Sequence, residues 1–251
     1  MRVLLTGTGG GSFRKGFIAS RFLELYKDVY DIVVYDRDIR DEFILPEGID
    51  MVVHLAAMAG VRRSHEEPEL YWETNVAASK RLFTTCSNRN VPVIYASSSS
   101  VYEWWLSPYA STKWFMEYIA PALTLGLRFH TVYGPNSRED MLYSMLENRE
   151  VSYLTNHTRD WTHVDDVSSA ISLCIDNFAK MCHHRAIDVG TADPVSVPDL
   201  AEVLWTGNNL PIKEVTGERE HTLANPMVLR SLGWKAKHHV LFPTFGVYND
   251  G

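Results

Sequence analysis

The sequence predicts an α/β protein: a doubly wound parallel sheet with a small C-terminal substrate-binding lobe. Three observations predict it. Short apolar, β-rich runs alternate with longer helical patterns. Those runs are almost continuously apolar, which suits strands buried on both faces of a parallel sheet. The first run passes directly into a glycine-rich turn and then a helix, the Rossmann-like order that holds a dinucleotide.

The elements follow in chain order. Arg2–Thr6 is a strand, apolar from Val3 to Leu5, and Phe17–Tyr26 is the helix after the glycine turn. Ile32–Tyr35 and Met51–Leu55 are the next strands. Leu70–Cys86 is a helix, Val93–Ala96 a strand, Tyr109–Leu123 a helix and Leu127–Val132 a strand. After about residue 135 the pattern loosens. Asp165–Asn177 reads as a helix, Ala186–Val189 as a strand and Val197–Trp205 as a helix. The expected division is a dinucleotide-binding core over 1–135 and a smaller substrate-binding lobe over 136–251, with some elements shared.

Composition excludes several function classes. The chain has 251 residues, 45% hydrophobic and 22% charged, with a net charge of −7. Such a balance gives no basic footprint for nucleic acid or for an anionic membrane. No apolar run approaches the length of a membrane-spanning helix. The N-terminus reads as a strand and turn, not as a signal peptide. Cys86, Cys174 and Cys182 are too few and too scattered for a disulfide framework, so a reducing, cytoplasmic setting is expected. Cys182-His183-His184 lacks partners at zinc spacing, and no metal is expected.

Gly7, Gly9, Gly10 and Gly16 punctuate the turn between the first strand and its helix. Glycines there permit a tight turn and close approach to a pyrophosphate, which the helix N-terminus then stabilises. Asp36 ends the second strand, where a carboxylate accepts hydrogen bonds from the adenosine ribose hydroxyls. A carboxylate there repels a 2′-phosphate, so NAD is favoured. Arg37 beside it keeps NADP open.

Tyr109 and Lys113 are four apart and share a helix face. An ammonium close to a phenol favours the phenolate and would lower the Tyr109 pKa from its ordinary value of about 10. The hydroxyl cluster Ser98-Ser99-Ser100, at the end of the preceding strand, is placed to bond the same substrate oxygen.

Several motifs occur in a fixed order over residues 1–235. They are Thr6-Gly7 through Gly16-Phe17-Ile18; His54 through Arg62; Tyr71 through Asn75-Val76; Ser97 through Tyr102; Tyr109 with Lys113; Gly126 through Pro135; and Arg159 through Asp166. Together they resemble the extended short-chain dehydrogenase/reductases, specifically the nucleotide-sugar epimerases. The resemblance implies cofactor contacts at Gly7, the glycine loop, Phe17, Ile18, Asp36, Leu55, Ala56, Ala57, Asn75, Tyr109 and Lys113. It places Asp38-Ile39 at the adenine. Relatives separate the ribose acid from that Asp-Ile by a helix and a strand, which this chain lacks, so Asp36 and Asp38 both remain candidates for the ribose. The glycine loop is longer than in relatives and holds Arg14 and Lys15. The link from Tyr102 to Tyr109 is shorter, and Trp104-Trp105 is expected to plug the space, with contact to ligand as the alternative.

The resemblance makes Ser98 the residue that orients the sugar hydroxyl. Sugar 4,6-dehydratases carry an acid and a base at the next two positions, where this chain has Ser99 and Ser100. The motifs most resemble UDP-glucuronate 4-epimerases. In that group the Thr and Arg matching Thr131 and Arg138, with the hydroxyl cluster, hold the sugar carboxylate. Arg159 matches the arginine on the nucleotide diphosphate. A second phosphate arginine is replaced by Val215, for which Arg219 or Lys213 is expected to substitute. The implied protein is an NAD-dependent 4-epimerase of UDP-glucuronate and UDP-galacturonate, acting as a homodimer. A UDP-hexose 4-epimerase and a noncatalytic NAD-binding regulator stay open as alternatives.

Overall fold

A computed structural model describes residues 1–9 and 15–242. Gly10 and Arg14 therefore lie outside the described residues. Its strands are β1 (Arg2–Thr6), β2 (Asp31–Val34), β3 (Met51–His54), β4 (Val93–Ser98), β5 (Thr124–Phe129), β6 (Thr131–Tyr133), β7 (Thr158–His163), β8 (Ala186–Val189) and β9 (Pro194–Ser196). Its helices are α1 (Phe17–Tyr26), α2 (Val61–Glu66), α3 (Pro68–Tyr71), α4 (Ser79–Asn88), α5 (Pro108–Ile119), α6 (Leu142–Glu147), α7 (Val164–Asp176), α8 (Phe178–Met181), α9 (Val197–Leu204) and α10 (Met227–Ser231). A π-helical stretch, Trp72–Ala78, joins α3 to α4, and a 3₁₀ stretch, Ser99–Leu106, leads from β4 towards α5.

Six strands form one parallel sheet in the order β2-β1-β3-β4-β5-β8. All residues of β3 and β4 are buried, as their continuous apolar runs require. One face packs Val3, Leu5, Val53, Ile94 and Leu127 against α1 and α7. The other packs Leu4, Val52 and Tyr95 against Leu82, Phe83 and Met116 of α4 and α5. The strand order reverses beside β1, so a crevice opens at the carboxyl ends of β1 and β3, where ligands of such sheets bind. The chain runs from β2 to β3 through residues 35–50 without helix or strand, which accounts for the closeness of Asp36 and Asp38.

The expected single strand Leu127–Val132 is divided. β5 ends at Phe129, the His130 N–H still donates to Val189 O at 3.1 Å, and Thr131 then pairs with Trp161. β6, β7 and β9 form a second, three-stranded sheet over a small core containing Tyr133, Trp161 and Leu200. An apolar run reports burial but not which sheet buries it, so the switch is not visible in the pattern. Among the described residues, no helix is long and apolar enough to cross a membrane.

Candidate active site

The crevice is a cavity of about 1140 Å³. Gly7, Gly16, Phe17, Ile18, Leu55 and Ala57 line one end. Gly7 has φ +94°, and a Cβ there would sit 2.7 Å from Ala56 N and Leu55 C. A Cβ on Gly16 would fall 1.9 Å from the Gly7 carbonyl oxygen. The end of β1, the start of α1 and the loop after β3 thus meet with no room for a side chain. α1 opens on Gly16 with no side-chain cap among the described residues, which suits its first N–H groups to an anion. Thr8 Oγ1, in the turn after β1, is buried without a hydrogen-bond partner among the described residues. These features fit a dinucleotide pyrophosphate.

A buried chain of hydrogen bonds stiffens this end. Thr6 Oγ1 accepts from Ala56 N–H at 3.1 Å and lies 2.8 Å from His54 Nδ1; His54 Nε2 lies 2.9 Å from Ser79 Oγ. Burial, helped by the Lys113 charge, holds the His54 pKa down to about 3, so the ring is neutral. Asn75 sits in the π-helical stretch, fully buried. Its Oδ1 accepts from Met58 N–H at 2.8 Å, and its Nδ2 donates to Met58 O and Thr112 Oγ1. Its amide is spent on clamping the loop after β3, outside the cavity wall.

Ser107-Pro108 starts α5. The Ser107 hydroxyl accepts from Ala110 N–H at 3.1 Å, and proline fills the first turn. That start sets Tyr109 in the first turn and Lys113 one turn on, both in the cavity wall with Ser98. Ser98 stands close enough to the Tyr109 phenol to favour its ionised form. Tyr71 packs edge-on to Tyr109 at 6.2 Å, its hydroxyl donating to Ala59 O and Gly60 O. The expectation that Lys113 lowers the Tyr109 pKa is corrected here. Lys113 Nζ lies 6.0 Å from the Tyr109 ring centre and donates to Ala96 O at 2.8 Å. Burial raises the Tyr109 pKa, while Ser98 and the Arg138 charge oppose the rise. Burial also brings Lys113 down to about 7, opposed by Glu117.

Ser99, Ser100, Thr131, Arg138, Arg159 and Arg219 line the other end. Ser98 Oγ accepts from Ser100 N–H at 3.2 Å. Arg138 is paired with Asp140 at 2.9 Å. Arg159 is buried; its Nη2 lies 2.7 Å from His157 Nδ1 and 3.5 Å from Glu218. The other polar members of its motif are structural. Asp160 accepts four hydrogen bonds from Thr191, Ala192 and Ala224, and Asp165 grips Arg21. Arg219 donates to Ser99 O at 3.1 Å and pairs with Glu103, so it ties the lobe to the 3₁₀ stretch. Lys213 lies over the ring of Tyr153, which lines the cavity, without lining it itself.

The adenine-end residues are not gathered into the cavity wall. Gly9 and exposed Asp36 lie outside it. Asp38 is paired with Arg40 at 2.6 Å, which lowers its carboxyl pKa, and Ile39 is buried in the core. Among the described residues no cation is fixed on Asp36, whereas Asp38 anchors its turn. The expected Trp104-Trp105 plug is also corrected. Both indoles are exposed, with Trp104 stacked on Trp114 at 5.0 Å.

Residues not singled out from sequence contribute to the site. Arg62 lines the cavity and pairs with Glu218 at 3.7 Å. Tyr71, His54 and Glu117 brace the wall that holds Tyr109 and Lys113. Glu117 repeats the four-residue spacing of Tyr109 and Lys113, a signal available in the sequence.

A parallel sheet of this order, with Ser, Tyr and Lys at its carboxyl edge, defines a short-chain dehydrogenase/reductase type of protein. The chain belongs to the NAD dependent epimerase/dehydratase family, whose sequence model matches residues 17–190. It is 32% identical to UDP-glucuronate 4-epimerase 3 of Arabidopsis thaliana over 221 residues, covering 69% of this chain and 51% of that protein. Protein CapI of Staphylococcus aureus is 34% identical over 208 residues, covering 71% of this chain and 61% of that one. The chain spans about half the length of the Arabidopsis relatives it matches. Among solved structures, MoeE5 in complex with UDP-glucuronic acid and NAD gives a TM-score of 0.79 at 27% identity, covering 96% of this chain and 95% of that chain. UDP-glucuronic acid 4-epimerase from Bacillus cereus, with UDP-glucuronic acid and NAD, gives 0.80 at 23% identity over 96% of each chain, a likeness of fold.

Proposed function

We propose that the chain is an NAD-dependent nucleotide-sugar 4-epimerase acting on UDP-glucuronate and UDP-galacturonate through a 4-keto sugar. One observation carries this reading. Ser98, Tyr109 and Lys113 share a cavity with Arg138 and Arg159, and no carboxylate stands among Ser98–Ser100 to drive elimination. The similarity to UDP-glucuronate 4-epimerases and to MoeE5 bound to UDP-glucuronic acid and NAD supports the substrate.

Gly7, the glycine loop, Phe17, Ile18, Asp36, Leu55, Ala57, Tyr109 and Lys113 would hold NAD, which supplies a reversible hydride acceptor. Tyr109 takes the proton of the sugar 4-hydroxyl and later returns it. Ser98 orients that hydroxyl. Moving a phenol from about 10 to about 7 takes roughly 4 kcal/mol, and Arg138, whose charge opposes the rise of the Tyr109 pKa, is the cation at hand. Arg138, Thr131 and the serines hold the sugar carboxylate, charged and fixed, which discourages loss of CO2. Arg159 takes the diphosphate.

The homodimer and the cytoplasmic setting belong to the same proposal. Trp72, Trp104, Trp105, Trp114 and Tyr118 are exposed and joined by ring contacts that run through Phe115. An aromatic face of this kind on α5 and its neighbours suits burial against a second copy. Cys86, Cys174 and Cys182 are free thiols, as in a reducing compartment.

Incubation with UDP-glucuronate, UDP-galacturonate and UDP-glucose, with products read by NMR, tests the activity. Interconversion of the two uronates supports it. Turnover of UDP-glucose alone replaces it with a hexose epimerase, and no product despite bound NAD makes the chain a noncatalytic binder. Sedimentation at micromolar concentration tests the dimer, and a monomer overturns it.

A further inference from the structure

Three consecutive residues at the end of β4 are each tied to a different residue of α5. Ala96 O accepts from Lys113 Nζ at 2.8 Å, Ser97 Oγ donates to Glu117 Oε1 at 2.5 Å, and Ser98 acts on the Tyr109 phenol, opposing the rise of its pKa. Tyr109, Lys113 and Glu117 recur every four residues, so they share one stripe of the helix. Glu117 is buried and outside the cavity wall. A buried carboxylate needs partners. Arg128 on β5 supplies two, from Nε to Oε1 at 2.9 Å and from Nη2 to Oε2 at 2.7 Å. Arg128 is itself held by the Tyr102 hydroxyl, which donates to Asp188.

Lys113 is just as buried, but its hydrogen-bond acceptor is the neutral Ala96 carbonyl. We propose that Glu117 is a positioning residue: it seats α5 on β4 through Ser97 and Arg128, and its charge balances the Lys113 ammonium. Lys113 is faced by neutral His54 from β3 and by Tyr109 and Glu117 on its own helix. Glu117 is faced by Ser97 and Tyr95 of β4, by Arg128 of β5 and by Arg185, which bonds its backbone carbonyl. Glu117 is thus the carboxylate acting on Lys113, and the proton centre keeps its place only while that charge is present.

The assignment rests on the reading of Tyr109 and Lys113 as the acid–base centre. Its test therefore reads the lysine directly as well as turnover. In protein carrying ε-¹³C lysine, the Lys113 signal is titrated by NMR in the wild type, Glu117→Gln and Glu117→Asp. Removing the anion disfavours the ammonium, so the Lys113 midpoint should fall by about one pH unit in Glu117→Gln and stay near the wild type in Glu117→Asp. With UDP-glucuronate, kcat of Glu117→Gln should fall at least about tenfold with KM little changed, and its alkaline limb should move to lower pH. If Glu117→Gln does not fold, Glu117→Gln with Arg128→Gln removes both charges and should give a smaller shift in the same direction. An unmoved Lys113 midpoint in a folded variant overturns the proposal. A shifted midpoint in a protein that epimerises nothing upholds the Glu117 assignment and overturns the epimerase reading instead.

Discussion

Lys113 Nζ lies 6.0 Å from the centre of the Tyr109 ring and gives its hydrogen bond to a backbone carbonyl, not to the phenol. The charge that opposes the burial-driven rise of the Tyr109 pKa is that of Arg138, not that of Lys113. Holding the Lys113 ammonium there is costly, which sets the first prediction. The folded pKa is about 7 against an ordinary 10.5. Between those values the unfolded chain binds the proton and the folded chain does not. Stability from this site therefore rises with pH across that window and is lowest below about pH 7. Lys113→Met removes the buried charge and keeps most of the volume. Its melting temperature relative to wild type should be higher at pH 6 than at pH 9, and turnover should be lost. An offset that does not change with pH would refute the assignment.

Tyr109→Phe removes one oxygen from the proton centre and leaves the edge-on contact with Tyr71 in place. Turnover of UDP-glucuronate should fall by about 10²–10⁴-fold, the usual worth of acid–base catalysis. Circular dichroism and NAD binding should stay close to wild type. A variant that keeps more than a few per cent of activity would remove Tyr109 from the mechanism.

The order of β1, glycine turn, α1 and the later parallel strands was legible because the central strands carry nearly continuous apolar runs. Tyr109, Lys113 and Ser98 were legible as a spacing plus a strand end. The second sheet was not, since Thr131-Val132-Tyr133 carries the same apolar signal as the strand before it. Nor was the surface role of Trp104 and Trp105, since sequence does not say whether an indole turns inward. Asn75 looked like a ligand contact, yet its amide holds Met58 and Thr112. Residues that act by clamping others leave no local pattern, whereas Glu117 carries one, the four-residue helical spacing of Tyr109 and Lys113.

The glycine turn gives a steric prediction. A Cβ on Gly16 would meet the Gly7 carbonyl oxygen at 1.9 Å, and backbone on both sides leaves nothing flexible to move aside. Gly16→Ala should displace the start of α1 from β1 and weaken NAD binding at least about tenfold. Overpacking of this kind costs about 1–3 kcal/mol or more in stability. Calorimetric titration with NAD checks it, and unchanged affinity would mean that the turn does not hold the pyrophosphate.

His54 gives an acid limit to stability. Its pKa is held near 3, below the ordinary 6.5, while Thr6 and Ser79 bond the neutral ring. The folded-state value is depressed, so the full contribution is present above about pH 6.5 and is lost as pH falls towards 3. Unfolding free energy should therefore lose close to one proton's slope between those values, and His54→Gln should flatten that slope. His54→Leu should cost more at pH 7, about 1–3 kcal/mol, because it strands two buried hydroxyls. Denaturant unfolding at several pH values decides it; identical slopes in the wild type and His54→Gln would show that another group sets the acid limit.

Arg138 couples substrate choice to the proton centre. Its guanidinium is held by Asp140 at the cavity wall, and its charge acts on both Tyr109 and Tyr71. Arg138→Ala should therefore do two things. With UDP-glucuronate it removes a charged hydrogen-bonding partner of the carboxylate, worth about 1.5–3 kcal/mol, so kcat/KM should fall roughly 10- to 100-fold. With UDP-glucose, which has no carboxylate, any turnover should fall far less, but its acid limb should move to higher pH. That shift follows because Arg138 opposes the rise of the Tyr109 pKa, and a base with a higher pKa stays protonated to a higher pH. Rates for both sugars across pH 6 to 9 separate the two effects. An equal loss with both sugars and an unmoved acid limb would take Arg138 out of both roles.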